Sequence, residues 1–124
     1  MSVAVPQLVP QEKKQSIKIS SVGICAGSGG SLLNGLDVDL LLTGELSHHE
    51  ALAATEQGKC VITAFHSNTE RAFLKSRMAP ALDAQLKASA KTDGTEWREE
   101  GFEIAVSQVD RDPFEIVTRD QWAL

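Results

Sequence analysis

His66 and Glu70 stand four residues apart, where the apolar, β-branched run Val61-Ile62-Thr63-Ala64-Phe65 gives way to His66-Ser67-Asn68-Thr69-Glu70-Arg71 and a helix start. With helical geometry reaching back to His66, both side chains leave one face of one turn. An imidazole and a carboxylate at the mouth of a strand-to-helix turn can ligate a divalent metal or work as an acid/base pair. The same letters have a plainer meaning. Ser67 is a good N-cap and Glu70 follows three residues later, the capping-box pattern, in which the carboxylate bonds back to the Ser67 amide and needs no metal. Two ligands make half of a metal site at best.

Glu45, His48 and His49 form a second group. Glu45 follows Gly44 at the end of a short apolar run, where a carboxylate can point into a crevice. His48 and His49 are adjacent, so on a helix they diverge by about 100° and one of them at most faces a site. Each also reads as an exposed histidine in a first helical turn, and Glu50 has the same capping role open to it as Glu70. The third group is Gly27-Ser28-Gly29-Gly30-Ser31. Backbone amides of a glycine turn before a helix can cradle an anion. The run is not the dinucleotide fingerprint, because Leu32 replaces the last glycine, and it lacks the lysine of a phosphate loop. A tight turn chosen for packing is the simpler reading. Ser28 and Ser31 have no evident base partner and are not nucleophile candidates.

Elements must bring these groups together. Residues 1–16 carry two prolines and a Gln/Lys/Glu cluster and read as a loose, flexible leader. Residues 17–124 read as a single α/β domain. Ile17 to Ala26 is the first strand, and Leu32-Leu33 opens a short helix that Gly35 stops. Asp39 to Thr43 is a buried strand ended by Gly44. Ser47 to Glu50 caps a helix that runs to Gln57 and stops at Gly58. Lys59 to Phe65 is the third strand. A third helix runs from Ser67 towards Lys91 with Leu74, Met78, Leu82 and Leu86 as one buried stripe, interrupted near Ser76 to Ala79 by Pro80. Phe102 to Val109 alternates as a fourth strand. Asp112-Pro113 ends it, Phe114 to Val117 continues as an edge segment, and Trp122 and Leu124 dock the tail. Alternating strands and helices give a mainly parallel sheet of four to five strands with helices packed on it. The glycine turn, Thr43-Gly44-Glu45 and His66 then gather where the strands end, the place ligands occupy in open α/β sheets.

Composition narrows the function. The chain has 124 residues, 42% of them apolar, and a net charge of −5. This is enough for a packed core, and with no basic tract it argues against nucleic-acid binding. No apolar run is long enough to span a bilayer and no secretory signal is visible, so a cytoplasmic or nuclear protein is expected. Cys25 and Cys60 lie in apolar surroundings and read as reduced, buried thiols rather than a disulfide or a zinc ribbon.

Four blocks in order carry a resemblance: Gly23-Ile24-Cys25-Ala26-Gly27-Ser28-Gly29-Gly30-Ser31, Leu41-Leu42-Thr43-Gly44-Glu45-Leu46-Ser47-His48-His49-Glu50, His66-Ser67-Asn68-Thr69-Glu70-Arg71 and Val109-Asp110-Arg111-Asp112-Pro113. The chain resembles the NIF-three-like family, known also as GTP cyclohydrolase I type 2 homologues. The resemblance implies an α/β fold with a dinuclear metal cleft, metal-assisted hydrolysis and toroidal oligomers. It makes His66 and Glu70 metal ligands, for zinc, manganese, iron or a similar divalent ion. It puts Glu45, with Gly44, beside the cleft as a catalytic acid/base or supporting group, and leaves His48 and His49 near it. The blocks match the late half of the family only. The early half, with its own paired histidines and an aspartate, has no counterpart here. Two of about five ligands are then present, too few for a tight dinuclear site. A homo-oligomer or a protein partner is expected to cover the open side, and weak or lost activity follows. The alternative from another class is a non-enzymatic interaction or regulatory module on the same fold, using an exposed edge or the helix carrying Leu74 and Met78.

Overall fold

The computed structural model describes residues 1–92, 102–115 and 117–122. Two compact units divide the chain, Met1–Arg77 and Met78–Leu124.

The first unit holds a four-stranded sheet. Its strands are β1 (Ser2–Ala4), β2 (Val22–Ser28), β3 (Leu40–Glu45) and β4 (Cys60–Thr63), in the order β1-β4-β3-β2. Strands β2, β3 and β4 are parallel, with Ile24 beside Leu42 and Leu42 beside Ile62. β1 joins β4 antiparallel, Val3 opposite Ile62, so the sheet is mixed. Ser2–Ala4, read from sequence as part of a loose leader, is therefore an edge strand, and Gln11–Ser16 forms a short 3-10 turn. Three parallel neighbours in chain order need two crossovers, which α1 (Gly30–Leu33) and α2 (His48–Glu56) supply. Leu33 of α1 and Ala54 of α2 meet Leu41 and Val61 of the central strands, and this cluster is the buried core.

Local chemistry fixes several boundaries. Ser47 caps α2 as a full capping box: its hydroxyl accepts from the Glu50 amide, and the Glu50 carboxylate accepts from the Ser47 amide at 2.8 Å. At the other end of the sheet, Asp39 clamps β2 to β3. Its carboxylate accepts from the Ser20 and Ser21 amides at 2.8 and 2.9 Å and from the Ser21 hydroxyl, while Ser21 Oγ accepts from the Asp39 amide. β2, expected from Ile17, begins at Val22, directly after the two serines of this clamp. Beyond β4 comes α3 (His66–Phe73), followed by a π-helical turn at Leu74–Met78.

In the second unit, α4 (Ala79–Thr92) resumes with Pro80 in its first turn. Proline has no N–H for the carbonyl four residues back, and its ring clashes with that carbonyl. A wider turn just before it is where the expected interruption falls. Two expectations fail here. Met78 and Leu82 are each 47% exposed, so the four-residue stripe is not a buried one. Phe102–Val109 forms no strand, nor do the described residues of 114–117. Arg119–Trp122 is a 3-10 turn, and Leu124 lies outside the described residues. Among the described residues, no helix is long and apolar enough to cross a membrane.

Candidate functional site

The ends of the three parallel strands converge on the start of α3. Thr43, nearly inaccessible on β3, donates its hydroxyl to the Gly27 carbonyl at 3.1 Å. The Gly27 amide in turn donates to Thr69 Oγ1 at 2.8 Å, and that hydroxyl donates to the His66 carbonyl at 2.7 Å. Backbone from β2 is thereby fastened to both β3 and α3. The approach is so close that no side chain fits: a Cβ on Gly44 would stand 2.6 Å from the Gly27 carbonyl oxygen and 2.7 Å from Thr69 Oγ1. Gly27 has φ +65°, a value glycine adopts most readily, and a Cβ there would run into the Glu70 carboxylate. The glycine run is thus a packing turn. Its Gly27 amide and carbonyl bond within the chain, and Gly30 makes room for the Glu50 carboxylate.

On this floor stands His66, half exposed. Its Nδ1 lies 2.8 Å from Glu45 Oε1 and its Nε2 3.2 Å from Glu70 Oε2. Glu45 arrives from the end of β3 and Glu70 from one turn along α3. The sequence-derived pairing of His66 and Glu70 on one helical face therefore holds in geometry. The cap assigned to Ser67 does not. α3 starts one residue earlier, at His66, behind Phe65, whose φ of 68° reverses the chain, and among the described residues no side chain caps this helix. Glu70 accordingly faces the imidazole instead of bonding back to Ser67.

His48 and His49 come from α2. Their rings meet edge to face, with centroids 5.7 Å apart, in the first turn of α2. His49 borders a small cavity with Leu33, Leu41, Leu46 and Ala53, which none of Glu45, His66 and Glu70 lines. Sequence reasoning placed Thr43 at the strand ends without a role for its hydroxyl, and it missed Thr69. Threonine hydroxyls that pin backbone to backbone leave no spacing pattern. A positive φ at a phenylalanine likewise leaves no signal in the sequence.

A carboxylate only accepts hydrogen bonds, so the nitrogen facing Glu45 carries hydrogen. In the neutral form of the ring, that leaves the Nε2 lone pair on the side of Glu70. A lone pair and a carboxylate at that range repel unless a proton or a metal cation lies between them. Orientation of an imidazole ligand by a carboxylate on its other nitrogen is the usual support of a metal-binding histidine. Among the described residues, no three His, Cys, Asp or Glu side chains converge on one ion position. Of the two thiols, Cys60 is buried and Cys25 half-buried, and neither is in a disulfide.

Comparison with known proteins adds an independent line. Residues 3–113 match the family model described as Duf34/NIF3 (NGG1p interacting factor 3). The chain is similar to NIF3-like protein 1 of Bos taurus, at 46% identity over 99 residues, which is 80% of this chain and 23% of that protein. It is similar to NGG1-interacting factor 3 of Saccharomyces cerevisiae at 40% identity over 116 residues, 92% of this chain and 35% of the yeast protein. Protein NIF3 homolog of Schizosaccharomyces pombe is 45% identical over 95 residues, 77% and 31% respectively. The chain thus spans about a quarter to a third of the length of these relatives.

Proposed function

The chain belongs to the Duf34/NIF3 family, and from that premise we propose that the end of its sheet is one part of a divalent-metal cleft of hydrolase type. His66 and Glu70 are its ligands, and Glu45 orients His66. The observation that carries this reading is the imidazole held between two carboxylates, at 2.8 Å on Nδ1 and 3.2 Å on Nε2. One imidazole and one carboxylate suit zinc, manganese or iron. The lack of a Cβ on Gly27 fits as well, since the room it leaves borders Glu70 and His66 Nε2. Two donors are a partial site, so the remaining ligands come from another segment or another chain. When bound, a divalent ion supplies Lewis acidity for hydrolysis. The residues of this chain hold the ion, fix the His66 tautomer and keep the Glu70 carboxylate aimed beside it. The contact of Glu45 with Nδ1 favours an orienting role for it over that of a general acid/base.

A second reading has its own observation. The outer edge of β2 pairs with no strand among the described residues, and Ile24 on it is 71% exposed. An apolar edge strand of seven residues invites a partner. The yeast relative is named an interacting factor, which supports a module that works by association, as a homo-oligomer or with another protein.

One experiment separates them. Chelator-treated chain is titrated with Co²⁺, Zn²⁺ and Mn²⁺, alongside His66→Ala, Glu70→Ala and Glu45→Gln. The metal reading expects weak binding that His66→Ala and Glu70→Ala abolish and Glu45→Gln weakens about 10-fold or more. Tight binding of two ions would refute the partial-site reading. Indifference to His66→Ala and Glu70→Ala, with self-association intact, would leave only the interaction module.

A further inference from the structure

The turn that delivers His66 is built against local preference. Phe65 has φ 68° and ψ 147°, a region open to glycine and unfavourable for any residue with a Cβ. Phe65 is 43% exposed, so deep burial of the residue does not explain the conformation. The surroundings hold it from both sides. The Ala64 amide donates to the Thr43 carbonyl at 2.9 Å, and the Thr69 hydroxyl reaches both the Phe65 and His66 carbonyls, at 3.3 and 2.7 Å.

The chain also carries a less strained alternative. Ser67 and Glu70 have the spacing of a capping box, the pattern that Ser47 and Glu50 do form in α2. A helix beginning after Ser67 would need no reversal at Phe65 and would satisfy its first amides. It would also leave His66 outside the helix, off the face of Glu70, and bond Glu70 to the Ser67 amide. The observed start forgoes the cap and accepts the unfavourable backbone. What it gains is His66 between Glu45 and Glu70.

We propose that the left-handed Phe65 is a positioning residue: its reversal selects the His66 start of α3 over the Ser67 start and so sets the imidazole in the cleft. This rests on the reading of His66 and Glu70 as metal donors. The test uses the chain with Phe65→Gly, Phe65→Ala and Phe65→Val. Gly and Ala both remove the ring and differ only at Cβ. At an ordinary position Ala is the more stable. Here Phe65→Gly melts above Phe65→Ala, by about 4 °C or more. Valine is β-branched and least tolerant of this backbone. It drives the helix to the Ser67 start, and Co²⁺ binding falls about 10-fold relative to Phe65→Gly. Imidazole ¹H–¹⁵N spectra without metal report the same event: the Nδ1–H held by Glu45 gives a His66 signal in the wild type and Phe65→Gly, and in Phe65→Val that signal is lost to exchange with solvent. A merely structural role would lower the melting temperature of Phe65→Val and leave the Nδ1–H signal and Co²⁺ affinity unmoved, which overturns the proposal. So does Ala melting above Gly. Should His66→Ala bind Co²⁺ like the wild type, the metal role falls and the proposal with it, while the Gly-over-Ala order survives as plain backbone strain.

Discussion

Replacing Thr69 by valine isolates the fastening between the sheet and the site. Valine keeps the branched shape and exchanges the hydroxyl for a methyl group. In the folded protein that hydroxyl accepts from the buried Gly27 amide at 2.8 Å and donates to the His66 carbonyl at 2.7 Å. The His66 carbonyl starts the helix and gains an intrahelical partner, so its loss is minor. The Gly27 amide has no such alternative. It is buried, and the space around it is too tight even for a methyl group on Gly44, so little room exists for water to replace the hydroxyl. Leaving a buried donor unsatisfied costs about 1–3 kcal/mol. For a domain of this size that corresponds to a fall in melting temperature of about 4–12 °C. Thermal and urea unfolding of Thr69→Val and Thr69→Ser give the comparison, since serine keeps the hydroxyl and loses only the methyl group. Thr69→Ser should retain most of the stability and Thr69→Val should not. Equal stability of the two variants would refute the claim that the hydroxyl ties β2 to α3.

The other predictions concern charge and thiols. The Ser20 amide, then the Ser21 hydroxyl and amide, hold the Asp39 carboxyl below the usual range, and the Ser47 amide and hydroxyl do the same for Glu50. Lowered folded values mean stability that is present above the unfolded carboxylate range of about pH 4 and is lost as pH falls through the folded values. The melting temperature should therefore drop below about pH 4, and Asp39→Asn should flatten part of that acid limb; an unchanged limb would show that the clamp is not pH-linked. Removing the cap of α2 with Ser47→Ala should cost about 1 kcal/mol in urea unfolding, and an effect near zero would remove the capping box from the stability of this helix. Burial, with the nearby Asp39 charge, pushes the Cys60 thiol up. Iodoacetamide at neutral pH should therefore label the half-buried Cys25 first and reach Cys60 only on unfolding; comparable rates would contradict the packing of β4.

What could be read from the residues alone was what short-range chemistry decides. The β2, β3 and β4 strands, α2 with its cap, and an interruption before Pro80 all follow from signals within a few residues of each other. The two Ser-x-x-Glu patterns mark the limit. At Ser47 the chain arrives in an extended conformation and the box closes. At Ser67 it does not, because a tertiary arrangement reverses the backbone at Phe65 and starts the helix early. The strand expected over Phe102–Val109 fails for a related reason. Its alternation is real, but alternation alone does not make a strand, and these residues pair with no other strand among those described. Ser2–Ala4 is the converse case, three residues with little strand character that become one because β4 has an edge to pair. At the site, the residue types and the common helical face of His66 and Glu70 were legible. The hold of Glu45 on His66 was not, nor were the hydroxyls beneath them.

The crowding of Gly27, Gly44 and Thr69 has a consequence for how such a protein can change over time. A methyl group at 44 would meet Thr69 Oγ1 and the Gly27 carbonyl oxygen. Trimming 69 to make room would orphan the Gly27 amide, and enlarging 27 would displace Glu70. Of single replacements at these three positions, only one that keeps the hydroxyl at 69, such as serine, leaves the junction as it is; a side chain on either glycine needs a compensating change beside it.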